Sequence, residues 1–168
     1  IPASEMAVGA VNQLVTWVVP PRIVPKLEMR EQEIPPEYRT VVVVPTLFAS
    51  TDAVREALEH LEIQYLANRD PHLHFALLSD FTDAPSETQP SDEAILAAAV
   101  EGIHGLNQRY AGGADDVFYL FHRPRRWNES ERVWMGWERK RGKLAQFNRF
   151  LRGGAGDAFS TIVGDTSG

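Results

Sequence analysis

Four short apolar runs alternate with three amphipathic stretches from residue 40 onward, and this alternation constrains the fold more than any other feature. The first run, residues 40–47, reads TVVVVPTL, which is typical of a strand buried on both faces of a sheet. The other runs are residues 74–78, 117–121 and 159–163. Strands that alternate with helices are joined by right-handed crossovers into a mostly parallel sheet. We therefore expect an α/β fold with three layers and a mostly parallel sheet.

The stretches between these runs have the spacing and end signals of helices. Ser50 supplies N-cap chemistry for the first helix, and Ser91 begins a similar capping sequence for the second. The third helix is expected over residues 143–152, because Gly153 and Gly154 follow it as a stop signal.

Residues 1–39 follow a different pattern. Residues 4–19 predict a short amphipathic helix, which is too short to span a membrane. Residues 20–39 contain five prolines and many charges, which is typical of an extended linker. We therefore expect a helix and linker over residues 1–39 and an α/β domain over residues 40–168. The two ends of the chain indicate a piece of a longer protein.

The charge distribution is uneven. The chain carries a net charge of −6, yet residues 122–152 hold ten of its 17 Lys and Arg residues and only three acidic residues. The acidic remainder disfavours a general nucleic-acid binder. The chain has no cysteine, so a disulfide framework and a thiolate metal site are excluded. The five histidines lack the spacing of metal ligands, which indicates structural roles for them.

No glycine-rich phosphate motif is present. The sequence contains neither G-x-G-x-x-G nor G-x-x-x-x-G-K-[ST]. Side chains must therefore hold any phosphate. In a parallel sheet, ligands bind beyond the carboxyl ends of the strands. This rule directs attention to the loops at residues 45–51, 79–85 and 122–143.

The second of these loops contains two candidate acceptors, Asp80 and Asp83. A carboxylate at the end of a strand can accept hydrogen bonds from a nucleotide base or a ribose hydroxyl. The alternative is that these residues only form the turn.

The third loop combines aromatic rings with crowded cations in the string WMGWERKRGK, residues 134–143. Arg139 and Arg141 would lie just before the predicted helix and Lys143 at its first residue, where backbone N–H groups and the helix dipole favour an anion such as phosphate. The alternative is a solvated basic face, with Trp134 and Trp137 in the core.

Three strings together resemble the glycosyltransferase region of bacterial cyclic β-1,2-glucan synthases. They are TVVVVPTL, LLSDFTDAPSE and FHRPRRWNESERVWMGWERKRGKLAQFNRFLRG, and the resemblance extends over nearly the whole chain. Those enzymes are large inner-membrane proteins that build β-1,2-glucan from UDP-glucose. The resemblance implies that this chain is the N-terminal, nucleotide-binding half of an inverting GT-A glycosyltransferase.

The resemblance also implies roles for particular residues. Pro45 and Thr46 would line the nucleotide pocket, Asp80 would contact the uracil, and Lys143 would contact the diphosphate. The Mg²⁺ or Mn²⁺ ligands and the catalytic base would lie beyond this chain, so that no catalytic or metal-binding residue is expected in it and the chain alone is expected to be inactive.

The implied partners are UDP-glucose, the glucan acceptor and the rest of the polypeptide, including membrane helices and a phosphorylase-like domain, at the cytoplasmic face of the inner membrane. A dimer of the isolated chain through its half-sheet is a further expectation. Two alternatives stay open, namely a non-catalytic interaction domain and a regulatory carbohydrate-binding module of a phosphorylase-like protein.

Overall fold

The computed structural model describes residues 3–19, 33–110 and 116–166. These residues fall into two compact units, which divide between Gln32 and Glu33. The first unit contains helix α1, Ala3–Val18, within one residue of the helix that the sequence predicts. Most of the predicted linker, residues 20–32, lies outside the described residues. Within the part of the chain that the structure describes, no helix is both long and apolar enough to cross a membrane.

The second unit has alternating strands and helices, preceded by a single 3₁₀ turn at Pro36–Tyr38. In chain order its elements are β1 (Thr40–Phe48), α2 (Thr51–Ala67), β2 (Leu73–Phe81), α3 (Asp92–Tyr110), β3 (Phe118–Arg123), β4 (Arg126–Asn128), β5 (Val133–Met135), α4 (Arg139–Leu151) and β6 (Thr161–Val163).

The main sheet has the strand order β1-β2-β3-β6. Strands β1, β2 and β3 are parallel, with Val42 beside Phe75 and Phe75 beside Phe118. Strand β6 is antiparallel to β3. The structure thus confirms an α/β fold with a mostly parallel sheet.

Helices cover both faces of this sheet. Phe75 and Leu77 of β2 belong to the larger core, which includes the inward side chains of α2 and α3. Ala76 and Leu78 alternate with them and face the opposite way, into a smaller core with Phe147 of α4. Successive side chains of a strand point to opposite faces, so both sides of β2 are buried. This arrangement confirms the three layers.

Strand β1 corrects one expectation from the sequence. Its apolar run predicts burial on both faces, yet most of its residues are only half-buried and Leu47 is 54% exposed. The reason is its position: among the described residues β1 pairs with β2 alone, at the edge of the sheet. Burial of a strand depends on its neighbours as well as on its composition.

The start of α4 and the hairpin before it correct another expectation. The sequence predicts this helix from residue 143, but α4 begins four residues earlier, at Arg139. Cations in a first helical turn oppose the helix dipole. The first turn of α4 has no acidic residue, so the sequence lacks the charge pattern that usually marks a helix start. The short strands β4 and β5 form an antiparallel hairpin within what the sequence predicts as a loop.

Candidate functional site

The three loops singled out by the sequence meet at one edge of the sheet. The loop after β2 is joined to the β4–β5 hairpin through Ala84 and Trp134, whose backbone N–H groups donate to each other's carbonyls at 2.9 and 3.0 Å. The hairpin in turn leads directly into α4. The carboxyl ends of β2 and β3, the hairpin and the start of α4 therefore form one connected surface.

A buried ion cluster lies beneath this surface. Asp80 at the end of β2 stands beside Arg123 at the end of β3, in register across the sheet. Arg123 donates to the two oxygens of Asp80 from Nε at 2.6 Å and from Nη2 at 2.9 Å. Lys143 Nζ of α4 lies 2.9 Å from Asp80 Oδ2. All three residues are at most 3% exposed.

Backbone and amide oxygens satisfy the remaining donors of the cluster. Lys143 Nζ donates to the Thr46 carbonyl at 2.7 Å and contacts the Leu78 carbonyl at 3.4 Å. Arg123 donates to the carbonyls of Trp137, two residues before α4, and Arg139, the first residue of α4, and to a side-chain amide on α4. The cluster thereby ties β1, β2 and β3 to α4.

The cluster carries one more positive than negative charge. A single carboxylate, Asp80, faces the two cations Arg123 and Lys143. Burial lowers the pKa of Lys143, although the hydrogen bond and the charge of Asp80 oppose that effect. An unbalanced buried cation attracts anions to the surface above it.

Two glycines make this packing possible. A Cβ at Gly136 would lie 2.6 Å from Cγ and Oδ2 of Asp80, so the turn between β5 and α4 can cover the cluster only with glycine there. A Cβ at Gly142 would lie 2.1 Å from the carbonyl oxygen of Trp137. Both distances are below those that real Cβ contacts show. The glycines of the WMGWERKRGK string therefore serve close backbone approach.

Asp80, Thr46 and Lys143, three of the predicted nucleotide-binding residues, meet in this cluster, while the half-buried Pro45 precedes Thr46 on β1. Asp80 and Lys143 are buried, and their polar groups are engaged with protein atoms. Contact between a ligand and either side chain would require the turn above them to move. Their predicted roles toward uracil and diphosphate stay predictions.

The other predicted residues lie at the surface. Arg139 bridges the loop after β2 and the hairpin, because it pairs with Asp83 at 2.8 Å and with Glu131 at 2.9 Å. Arg141 pairs with Glu138 at 2.5 Å and is 81% exposed in its side chain. Arg139 and Asp83 thus come together, whereas Arg141 faces a different partner.

Arg123 and Arg125 are site residues that the sequence did not single out. Arg125 is 4% exposed, although its charge predicts a surface position. It donates to the Thr82 carbonyl at 2.6 Å and to Asp92 at 2.5 Å, and its guanidinium lies 4.8 Å from the centroid of the Phe81 ring. It therefore fixes the loop after β2 to the start of α3. The HRPRR string, residues 122–126, is the sequence feature that could have indicated these two arginines.

Asp92 and His122 have shifted pKa values. Although desolvation raises it, hydrogen bonds from Arg125 and from the Gln89 backbone hold the pKa of Asp92 below its ordinary value. Burial lowers the pKa of His122 to about 4, against a weaker opposing effect of Asp80 and Asp92. Its Nδ1 lies 2.8 Å from the Ser79 hydroxyl, and its Nε2 has no hydrogen-bond partner among the described residues.

An open groove of about 600 Å³ runs along the hairpin and the start of α4. Trp127 and Trp137, on its walls, are 44% and 46% exposed, which contradicts the alternative that Trp137 belongs to the core. Trp134 is half-buried, and its ring packs 5.9 Å from that of Trp127. The groove is lined by Arg126, Trp127, Asn128, Glu129, Glu131, Met135, Trp137, Glu138, Arg139 and Arg141.

A second cavity of about 670 Å³ lies at the opposite end of the sheet, between the amino ends of the strands and α4, and includes Thr40, His74 and Phe150. Within residues 3–19, 33–110 and 116–166, no group of three or more His, Asp or Glu residues could hold a metal ion.

Comparison with known proteins confirms the resemblance that the sequence motifs indicate. No protein-family model matches the chain. The chain is 45% identical over 159 residues, 95% of its length, to the cyclic beta-(1,2)-glucan synthase NdvB of Rhizobium meliloti (strain 1021). It spans 6% of the length of that protein.

Proposed function

From the 45% identity to a segment of a cyclic β-(1,2)-glucan synthase, we propose that this chain supplies the donor-nucleotide part of an inverting, GT-A glycosyltransferase that uses UDP-glucose to build cyclic β-1,2-glucan. This identity is the observation that carries the proposal, since it extends over 95% of the chain.

The charge and topology of the carboxyl edge support a diphosphate ligand. This edge is where parallel sheets bind ligands. The buried cluster beneath it holds one carboxylate against two cations, so an anion above the cluster is favoured. Without a glycine-rich loop to cradle phosphate, such side-chain charge is the available means of holding UDP.

We divide the proposed site into a frame and a contact surface. Asp80 and Lys143 form the frame, because they are buried and hold the strands against α4. Arg139 and Arg141, with Asp83 paired to Arg139, form the contact surface. Phosphate oxygens would take the place of the carboxylates that Arg139 now binds, since both groups have two oxygens that can accept parallel hydrogen bonds from a guanidinium.

In the proposed reaction the glucosyl group moves to an acceptor hydroxyl and UDP leaves with increased negative charge. Cations of this surface would stabilise that charge as it develops. A carboxylate from another part of the polypeptide would take the acceptor proton. A Mg²⁺ or Mn²⁺ ion bound outside this chain would add positive charge at the diphosphate.

The proposal includes a setting for this domain. It places the chain in a longer polypeptide with membrane helices and a phosphorylase-like domain, at the cytoplasmic face of a bacterial inner membrane. The acceptor would be the growing glucan.

UDP titration into this chain, followed by NMR, tests the nucleotide part of the proposal. We expect saturable shifts near the start of α4, and about tenfold weaker binding in Arg139→Ala and in Arg141→Ala, because a charge-assisted hydrogen bond contributes roughly 1.5–3 kcal/mol. Arg55→Ala, an exposed arginine of α2 paired with Asp52, is the matched control and should bind as the parent does.

The nucleotide assignment is contradicted if UDP causes no saturable shift. It is also contradicted if both variants bind UDP like the control. In either case the basic surface would serve a protein partner, as a non-catalytic interaction domain requires.

A further inference from the structure

We propose that the groove along the β4–β5 hairpin binds a neutral oligosaccharide, namely a segment of the glucan acceptor. This inference rests on the proposed function for the identity of the sugar. The groove itself is defined by aromatic rings, by its charge balance and by its position.

The aromatic rings provide the first argument. Trp127 and Trp137 leave 44% and 46% of their surface exposed on the walls of one groove. Large exposed apolar surfaces on a folded protein mark binding sites. A flat indole face suits the C–H face of a pyranose ring, and the indole N–H can donate to a hydroxyl. The Trp127 ring contacts the Trp134 ring, with 5.9 Å between the ring centroids, and this packing restricts the rotation of Trp127.

The charge balance provides the second argument. The groove carries three arginines and three glutamates, so it is neutral overall; they are Arg126, Arg139, Arg141, Glu129, Glu131 and Glu138. Two of the arginines are paired with glutamates of the same groove, at 2.9 and 2.5 Å. A site for a polyanion such as nucleic acid would be cationic along its length.

Balanced charges match the chemistry of a sugar. Each sugar hydroxyl donates one hydrogen bond and accepts others. Arginines supply donors, whereas glutamates supply acceptors along the same groove. Its volume of about 600 Å³ is in the range of about 300–1,000 Å³ that small-molecule sites occupy.

The position of the groove indicates the acceptor. Arg139 binds Glu131 within the groove and Asp83 in the loop after β2, at 2.9 and 2.8 Å. Arg139 and Arg141, which form the proposed contact surface, also line the groove, so the groove adjoins the proposed donor surface. A glucan held on the tryptophans would extend toward the nucleotide sugar, as an acceptor must.

Tryptophan fluorescence tests this inference directly. The chain has four tryptophans, and in a Trp17→Phe background the other three all lie in the hairpin or just after it. We titrate this variant of the full 168-residue chain with linear β-1,2-linked gluco-oligosaccharides and, for comparison, with maltoheptaose. We expect saturable fluorescence change with the β-1,2-linked sugars.

Adding Trp127→Ala should weaken this binding roughly tenfold or more, since a central tryptophan often dominates an interface. Ile63→Ala, at a 61% exposed position of α2, is the matched control and should leave it unchanged. Thermal unfolding verifies that both variants fold, and Trp127→Phe should recover part of the affinity.

Three results would overturn the inference: no binding of β-1,2-linked sugars, equal binding by Trp127→Ala and the control, or loss of UDP binding instead of sugar binding in Trp127→Ala. The last result would assign the tryptophans to a nucleotide base. UDP binding by the Trp17→Phe chain is measured separately, so failure of the proposed function and failure of this inference give different patterns.

Discussion

The two faces of β2 and β3 end in different chemistry, although the same two strands form both faces. Toward α2 and α3, Ser79 and His122 meet as an uncharged hydrogen-bonded pair above a large apolar core. Toward α4, their neighbours Asp80 and Arg123 meet as an ion pair above a smaller core. One face is filled by apolar packing, and the other is held by charge.

This difference teaches what each face tolerates. When a side chain of the apolar core is shortened, the protein loses stability according to the atoms removed and the cavity left behind, and no remaining side chain loses a hydrogen-bond partner. A buried ion cluster is stable only when every charge has partners, so removing one member exposes the desolvation cost of the others. The ionic face also joins α4 and the hairpin to the sheet, which makes it the support of the proposed contact surface.

The largest expected effect comes from breaking the ionic face at its only carboxylate. Asp80→Ala leaves Arg123 and Lys143 buried together without a counter-charge, and we expect a loss of about 3–5 kcal/mol in the free energy of unfolding. Urea denaturation measures it. Asp52→Ala removes an exposed carboxylate of α2 and should cost at most about 1 kcal/mol. Equal losses in the two variants would show that the ionic face is no more sensitive than the surface.

The uncharged face should respond to pH through His122. Its pKa is lowered to about 4 in the folded state, so stability is fully present above pH 6.5 and is lost as the pH falls toward 4. The loss amounts to roughly 3 kcal/mol, because one pKa unit corresponds to about 1.4 kcal/mol. Denaturation curves between pH 7 and pH 4 measure it. His122→Phe should flatten that profile, and an unchanged slope in this variant would assign the acid sensitivity elsewhere.

The turn between β5 and α4, which covers Asp80, should lose stability when a single methyl group is added to it. Gly136→Ala places a Cβ 2.6 Å from Asp80, and we expect a loss of about 1–3 kcal/mol from overpacking. Gly105→Ala is the matched control, because this helical glycine of α3 has nothing within 4 Å of its Cβ position. It should stabilise the protein by about 0.4–1 kcal/mol. Thermal unfolding of both variants tests the contrast in sign, and a stabilising Gly136→Ala would contradict the packing described here.

The smallest effect is expected at the contact surface itself. Arg141→Ala removes an ion pair whose arginine side chain is 81% exposed, so the free energy of unfolding should change by less than about 0.5 kcal/mol. Urea denaturation at low and high salt measures it. A loss comparable to that of Asp80→Ala would move Arg141 from the contact surface to the frame.

The sequence predicted most elements because their apolar spacing was regular. The predicted N-cap role of Ser50 is confirmed, since the Ser50 hydroxyl accepts a hydrogen bond from the Ala53 N–H at 3.2 Å. The hairpin was missed because each strand has only three residues. The early start of α4 was missed because cations in its first turn oppose the helix dipole, and because Arg139 gains support from Glu131 and from Asp83, of which Asp83 is distant in the sequence.

The candidate site was predictable in composition but not in burial. The sequence placed Asp80 and Lys143 at the same edge, and the structure brings them within 2.9 Å of each other. It did not indicate Arg123, although alternation along β3 puts this residue on the same face as Phe121. The burial of two cations against one carboxylate can be inferred only when the register of β2 and β3 is known.

Glucan synthesis by a chimera tests the central claim most directly. The matching segment of the Rhizobium meliloti cyclic glucan synthase is replaced by this chain, which is 45% identical to it, and incorporation of labelled glucose from UDP-glucose into cyclic β-1,2-glucan is measured. We predict synthesis by the chimera and at least tenfold less when Arg139 and Arg141 are both changed to alanine. A chimera that is folded and produced at the parental level yet makes no glucan, or one unaffected by the double change, would contradict the account.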